Sequence, residues 1–409
     1  MKKNDIILIF CSASALLLLS AGTLLGPKPA FSENENRYLQ KQPEISVSAI
    51  AEGHFEKQAE AYLSDHIAGR ESWIAASSHI LSFSGVSDIN GTYLCTDGRL
   101  VQRITKSQFD RDRYRKNLQQ IADFHSTCAE KEIPVTLMTV PTAASVYKDR
   151  LPVHAVRFDE SSAFAEAKNM LPDGFLDIRT TLSKDETRDT FFRTDHHWSG
   201  YGAFLSAQKF KKSCKISASS ERFEPEILTE DFLGTLHSRV LLDGMESDII
   251  EAPEESSLPA YTVTFGGKSY NSLYFPKHLK KKDKYAVYFG GNYAQVDISL
   301  RRNTDNNTDS NTGGAALSAD KAQISGREDS SREDSKGSQK EKLLILKDSF
   351  ANSFIPYILG DFEQITMLDT RYYRGNIAAL SEKYDRVLLL YSITSLAEQK
   401  LNLTKTLLQ

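Results

Sequence analysis

Along the 409 residues, apolar positions fall into three regimes, and the first is a single unbroken run. From Ile6 to Leu25 there are 20 residues without a charge, enough to cross a hydrocarbon core ~30 Å thick as a helix. Lys2 and Lys3 precede the run, which favours a cytoplasmic N-terminus with everything after Leu25 outside. A cleaved signal peptide is the rival reading. Its apolar region is ordinarily about 7–15 residues and ends in a small-x-small site, whereas the best candidate here, KPAFS, has a lysine where the first small residue is needed. An uncleaved anchor is therefore preferred.

In the second regime the apolar period is three to four. Phe55, Ala59, Tyr62 and Leu63, then Trp73, Ile74 and Ile80, predict helices from about Ala49 to Leu81. GTYLCTDGRLVQ then reads as a hairpin, two apolar strands around a Thr-Asp-Gly turn. The third regime alternates strands and helices. RYRKNLQQIADFHSTCAEK is amphipathic, with Leu118, Ile121, Ala122 and Phe124 inward, and PVTLMTVP is a short continuous apolar run that suits a buried parallel strand. FAEAKNML is helical, and GFLDIRTTL is a strand leaving into a loop. Ala203, Phe204, Ala207 and Phe210 form the face of a helix that Ser199 caps.

Residues 215–300 read as β-rich and irregular, with aromatic and polar residues alternating between Gly-Gly turns. Residues 301–342 hold eight basic and eight acidic residues and almost nothing large and apolar. Such a segment buries too little surface to offset its ordering entropy, so a disordered insert is expected. Beyond it, LLILKDSFANSFIPYILGDF, EQITMLDTRYY, NIAALSEKYD and RVLLLYSI read strand, turn, helix, strand, helix, strand. The predicted class is α/β with a mostly parallel sheet. Four regions are expected: 1–30, cytoplasmic tip and membrane anchor or signal peptide; 31–92, helical; 93–300 with 343–409, the main domain; and 301–342, the charged insert.

A net charge of −4 gives no electrostatic footprint for a nucleic-acid partner. Outside the apolar run there remain Cys95, Cys128 and Cys214, widely spaced and without a C-x-x-C. That indicates neither a zinc knuckle nor a disulfide scaffold; one bridge and three buried thiols both fit. No cofactor is called for.

In an open α/β sheet, chemistry gathers at the carboxyl ends of the strands. KDSF follows the LLIL strand directly, so Ser349 sits at a strand-to-helix turn with its hydroxyl exposed and its N–H near a developing oxyanion. A serine hydroxyl needs a base, and the base needs an orienting group. RTDHHWSGYGA, residues 193–203, offers both: Asp195 and His197, at i and i+2, share a side of an extended segment. Taken from spacing alone, two other readings stay open. His196 and His197 form a structural pair, or Asp195, His196 and His197 hold Zn²⁺ with His237 as the further ligand.

TDHHWSGYGA resembles the signature of the DHHW family, which is similar to the periplasmic alginate O-acetyltransferases of the SGNH-hydrolase-like superfamily. The likeness runs from about residue 31 to 395 through ENRYL, YLSDHIAGR, YLCTDGRL, VPTAASVYKDRLP, LDIRTTL, FLGTLHSR, LLILKDSFANSF and LDTRYY. It implies a circularly permuted, flavodoxin-like SGNH fold with helices on both faces of the sheet and a β-rich insertion. Asp195, His197 and Ser349 occupy the places of the acetyltransferases' catalytic triad, and His196 stands where those enzymes often carry threonine. An oxyanion asparagine is implied, which Asn271 in SYNSLYF and Asn292 in FGGNYA both match. Arg371 would bind a substrate hydroxyl or carboxylate, or make a structural salt bridge; Trp198 would line a sugar platform, or pack in the core.

The activity so implied is a membrane-anchored, extracytoplasmic O-acyltransferase or esterase acting on a cell-surface polysaccharide. Its acetyl groups would come from a membrane-bound O-acyltransferase partner. The alternative is an inactive scaffold or glycan-binding protein on the same fold, which Lys347 favours because it replaces the glycine of Gly-Asp-Ser.

Overall fold

The structure is a computed structural model that describes residues 3–32, 37–183, 187–216, 222–301 and 340–403. Nearly all of the charged insert, 302–339, lies outside the described residues. Four aliphatics in a row, Leu343 to Leu346, are fully buried, because the strand that carries them (Lys342–Lys347) is central and covered on both faces. It pairs in parallel with Gln364–Asp369 on one side and Arg386–Ser392 on the other. Arg386–Ser392 pairs in parallel with Val135–Val140, and that strand with Phe175–Asp177.

Across the sheet these five parallel strands follow the flavodoxin-like order 2-1-3-4-5 when counted from Lys342–Lys347. The last two in that count, Val135–Val140 and Phe175–Asp177, come first in the chain. The fold is the circularly permuted α/β arrangement that was expected. Three further strands extend the Gln364–Asp369 edge in antiparallel fashion: Gln295–Leu300, Tyr261–Phe265 and Lys268–Tyr270.

Alternate residues of each strand feed two cores. Leu343, Ile345, Leu388, Leu390 and Met138 face a cluster with Trp198, Phe210 and Phe354. Leu344, Leu346, Leu389 and Leu137 face the Arg111–Ala129 helix through Leu118, Ile121 and Phe124. Helices therefore cover both faces.

The structure adds detail in two regions. The helical stretch after the apolar run is three helices, Val47–Ala51, His54–His66 and Arg70–Phe83. They are separated at Gly53 and Gly69, whose φ angles of 68° and 69° stop a right-handed helix. Between 215 and 300 the β content is only partial. Lys284–Val287 is a 3₁₀ turn, and Glu226–Phe232 with Asp248–Ala252 forms a separate two-stranded sheet. Cys95, Cys128 and Cys214 are all free.

Ile345, fully buried on the central strand, tests the core. Ile345→Ala is expected to lower unfolding free energy by about 2–5 kcal/mol, read from denaturant melts, whereas the exposed Val153→Ala should stay within about 0.5 kcal/mol.

Candidate active site

The five parallel strands reverse their winding between Lys342–Lys347 and Arg386–Ser392, and a crevice opens at the carboxyl ends of strands at such a switch point. Ser349 follows Lys347 by two residues and stands there. The turn is tied to its neighbour by Asp348, which accepts from Phe350 N–H (3.0 Å) and from Ser392 N–H (2.7 Å). The helix after the serine is a single turn, Ala351–Phe354, continued as 3₁₀. A macrodipole from so short a helix adds little, which reduces that part of the sequence argument.

The Asp-His segment arrives from the other end of the chain. It is an irregular loop closed by a bridge between Phe191 and Trp198, so the extended segment anticipated from the i, i+2 spacing does not form. The pairing survives by another route. Asp195 Oδ1 accepts from the backbone N–H of His197 at 2.9 Å and from its ring Nδ1–H at 2.7 Å. Because an ionised carboxylate only accepts, Nδ1 carries the proton and Nε2 is left as the acceptor. Ser349 Oγ lies 2.7 Å from that Nε2.

The other carboxylate oxygen, Oδ2, accepts from Thr235 N–H at 2.7 Å and Thr235 Oγ1–H at 2.9 Å. Burial by itself would raise the pKa of Asp195. The two imidazoles and the Thr235 N–H reverse that and hold it far below the usual carboxylate range. The His197 ring is clamped face to face on Tyr285, with centroids 4.0 Å apart and planes 11° from parallel, and it touches Phe350. Tyr285 in turn donates to the Ser349 carbonyl at 3.1 Å.

A second buried carboxylate shapes the loop from beneath. Asp248 accepts from the N–H groups of Arg193 (2.6 Å) and Thr194 (2.8 Å) and from the Thr194 hydroxyl (2.6 Å). Burial raises Asp248 to about 6, against the pull of those donors. Gly234 closes the arrangement. A Cβ there would lie 2.3 Å from the Cβ of Asp195 and 2.5 Å from its Oδ2, so no other residue lets Thr235 reach the carboxylate.

His196 bonds Thr235 Oγ1 through Nδ1 at 2.8 Å. Burial, reinforced by His197, holds it below the ordinary imidazole value, so it is neutral at pH 7. It lines a narrow cleft with Phe350, Leu236, Thr142 and Thr394. An open cavity of about 710 Å³, lined by Lys148, Arg157 and Arg179 among others, lies farther along the Ala143–Val146 turn and includes no member of the relay.

The remaining site candidates separate. Asn292 is at the serine turn: its Oδ1 accepts from Lys347 Nζ (2.7 Å) and Asn352 Nδ2 (3.3 Å), which leaves its amide N–H₂ as the free-facing donor side. Asn271 is not at the site. In register it follows Tyr270, which aligns through Val263, Ile298 and Ile365 with Leu343 at the start of the serine strand. Four strands at ~4.8 Å each place it about 19 Å to the side.

Trp198 has no exposed surface. Its indole N–H donates to Phe350 O and Ser353 Oγ, and its ring packs on Phe350 and Phe354. It is a core residue and presents no face to a sugar. Arg371 forks onto the fully buried Asp369 (2.9 and 2.6 Å), a salt bridge at a strand end that leaves about a third of its side chain exposed.

For the Zn²⁺ reading, ligand atoms of Asp195, His196 and His197 lie within 4.8 Å of one another. Both ring nitrogens of His197 are already engaged, by Asp195 and Ser349, and His237 Nε2 is bonded to Leu242 O. Lys347 is buried and bonded to Asn292 and Asn352, and the turn still delivers Ser349 to His197.

Comparison with known proteins came to similar ground. Residues 101–281 match the family model for the SGNH hydrolase-like domain of acetyltransferase AlgX, a span that contains Asp195 and His197 and ends before Ser349. No curated protein matches the sequence. A DHHW family protein from Eubacterium siraeum shares 19% identity, with TM-score 0.55 over 77% of this chain and 97% of that one. PatB1 of Bacillus cereus, solved with a sulfonyl adduct, shares 18% identity, with TM-score 0.54 over 78% of this chain and 100% of that one.

Two outcomes test the site's construction. Gly234→Ala must displace either Asp195 or Thr235; a loss of about 1–3 kcal/mol in unfolding free energy is expected, together with a changed His197 ring-proton shift in NMR. Burial pushes Lys347 down to about 8, so between about pH 8 and 10.5 the unfolded chain binds more protons than the folded one. Stability should rise with pH across that window relative to Lys347→Met, which lacks the group, as read from paired urea melts.

Over residues 101–281 this chain is similar to the SGNH hydrolase-like domain of acetyltransferase AlgX, and its fold is similar to that of a DHHW family protein.

Proposed function

We propose that the chain is an extracytoplasmic, membrane-anchored O-acyltransferase, or the related esterase, that modifies a cell-surface polysaccharide through a Ser349-His197-Asp195 triad. One observation carries the reading: an unbroken hydrogen-bond chain from hydroxyl through imidazole to a buried carboxylate, 2.7 Å at each link. Similarity to the AlgX acetyltransferase domain supports the acyl-transfer class. The Lys3–Leu25 helix, apolar over an 18-residue stretch of mean hydropathy 2.2 and with no buried residue, supports the anchor.

The chemistry follows from the tautomer. Ser349 Oγ attacks the acyl carbonyl carbon while its proton moves to His197 Nε2, and Asp195 stabilises the imidazolium so formed. The tetrahedral intermediate collapses as Nε2–H protonates the leaving oxygen, and the acyl group remains on Ser349. A glycan hydroxyl then loses its proton to Nε2 as it attacks the acyl carbon, and Nε2–H returns that proton to Ser349 Oγ as the acyl–serine bond breaks; with water in its place the result is hydrolysis. Asn292 N–H₂ and backbone N–H groups of the serine turn are the candidate oxyanion donors. The acetyl donor in this reading is a membrane-bound O-acyltransferase.

Labelling with a fluorophosphonate probe tests the triad. Wild type should label, Ser349→Ala should not, and His197→Ala should label about 10²–10⁴-fold more slowly; a sulfonyl fluoride serves as a second probe. Equal labelling of wild type and Ser349→Ala, or none of a folded wild type, refutes the triad and favours the scaffold.

A further inference from the structure

Among the described residues outside the Lys3–Leu25 helix, eleven of the sixteen exposed large hydrophobic side chains lie between Phe31 and Val86. The exposed apolar surface among the described residues is thus concentrated on one short stretch. Its most ordered part is the Arg70–Phe83 helix. Trp73, Ala76, Ile80 and Phe83 are all exposed and recur at spacings of three, four and three, so they form a single stripe. The exposures of Trp73, Ile80 and Phe83 are 58, 66 and 96%. Another face of the same helix is taken: Ser78 is buried, and Leu81 packs against the cluster of Ile89, Leu100, Leu236 and Val240. The helix is therefore held to the body on one side and left bare on another.

Where the stripe begins identifies what covers it. The loop just before this helix touches the outer end of the apolar helix: Ala68 N–H donates to Thr23 Oγ1 at 3.1 Å, and a Cβ on Gly22 would lie 3.1 Å from the Ala68 Cβ. His66 Nε2 lies 3.2 Å from the Pro29 carbonyl. The Trp73 indole N–H donates to Ala68 O at 3.0 Å, so the ring sits beside that junction. Where the chain leaves a hydrocarbon core is the depth at which tryptophan, with an apolar ring and one polar N–H, partitions best. A helix held to the body on one side, with an exposed apolar stripe on another, can lay that stripe in the same plane.

We propose that the Trp73–Ala76–Ile80–Phe83 face rests on the outer leaflet of the phospholipid bilayer that the Lys3–Leu25 helix crosses. The anchor then acts as more than a tether. A second contact on the same membrane fixes the tilt and height of the main domain, and with them the direction in which the serine crevice faces. The inference depends on the anchored reading proposed above, and the experiment separates the two.

Only two tryptophans exist, and Trp198 is sealed in the core, so lipid-borne quenchers report on Trp73. The full-length chain is reconstituted in phosphatidylcholine vesicles, with and without bromine on the upper acyl-chain carbons, and floated on a density gradient. The expected result is co-flotation, loss of most of the Trp73 emission to the bromolipid, and protection from aqueous iodide. Trp73→Phe supplies the background, and Ile80→Asp with Phe83→Asp should restore Trp73 emission without changing the thermal melt. A chain that floats but whose Trp73 is quenched by iodide and untouched by bromolipid overturns the docking while leaving the anchor standing. A chain that does not float overturns both.

Discussion

A carboxylate taken out of water must be matched by donors or it gives up its charge. Asp195 is the point in this molecule where that demand is met in full. Its two oxygens receive four donors, two from His197 and two from Thr235. Each donor comes from a segment with its own reason to be there. The Arg193–Thr194 backbone is pinned by Asp248, Thr235 approaches because Gly234 has no side chain, and the His197 ring is held by Tyr285. Asp195 and Asp248 also repel each other, which contributes to the raised pKa of Asp248. Two like charges, one in the loop and one on the strand beneath it, are held by seven donor contacts, and those contacts fix the loop.

This rigidity matters because the permuted chain assembles its site late. The Asp-His loop follows the Phe175–Asp177 strand, whereas the serine lies 152 residues beyond His197 on the strand at the sheet's centre. Nothing local holds them together. The joint is made by the core: Trp198 extends from the loop into the space under the serine turn, bonding Phe350 O and Ser353 Oγ. A residue that sequence could have given to a sugar platform instead fastens the Asp-His loop to the serine turn.

Sequence reasoning reached the elements whose signals are local. Short apolar runs such as LLIL and VTLM announced buried parallel strands, and a serine three residues past the first of them announced the crevice. The partners on which the site depends left no local trace. Thr235 and Gly234 lie in a motif that carries no titratable group of its own before His237, and Asp248 opens a short strand in a region of mixed structure. Their roles come from tertiary approach, which spacing does not encode. Asn271 and Asn292 look alike in sequence, and only strand register, alternating and cumulative across four pairings, sends one to the far edge and the other to the serine turn.

Lys347 shows how a departure from pattern can be absorbed. Holding an ammonium in this position, at a pKa of about 8 instead of about 10.5, costs about 3 kcal/mol at neutral pH, so it does not serve stability. Its donors fix the carbonyl oxygens of Asn292 and Asn352, and an amide whose oxygen is held has its N–H₂ turned the other way. The glycine expected there would leave both amides free to flip. Asn352 spends its own N–H₂ on Asn292 Oδ1, so the buried ammonium locks a linked pair of amides in which the Asn292 N–H₂ is left as the donor at the serine turn.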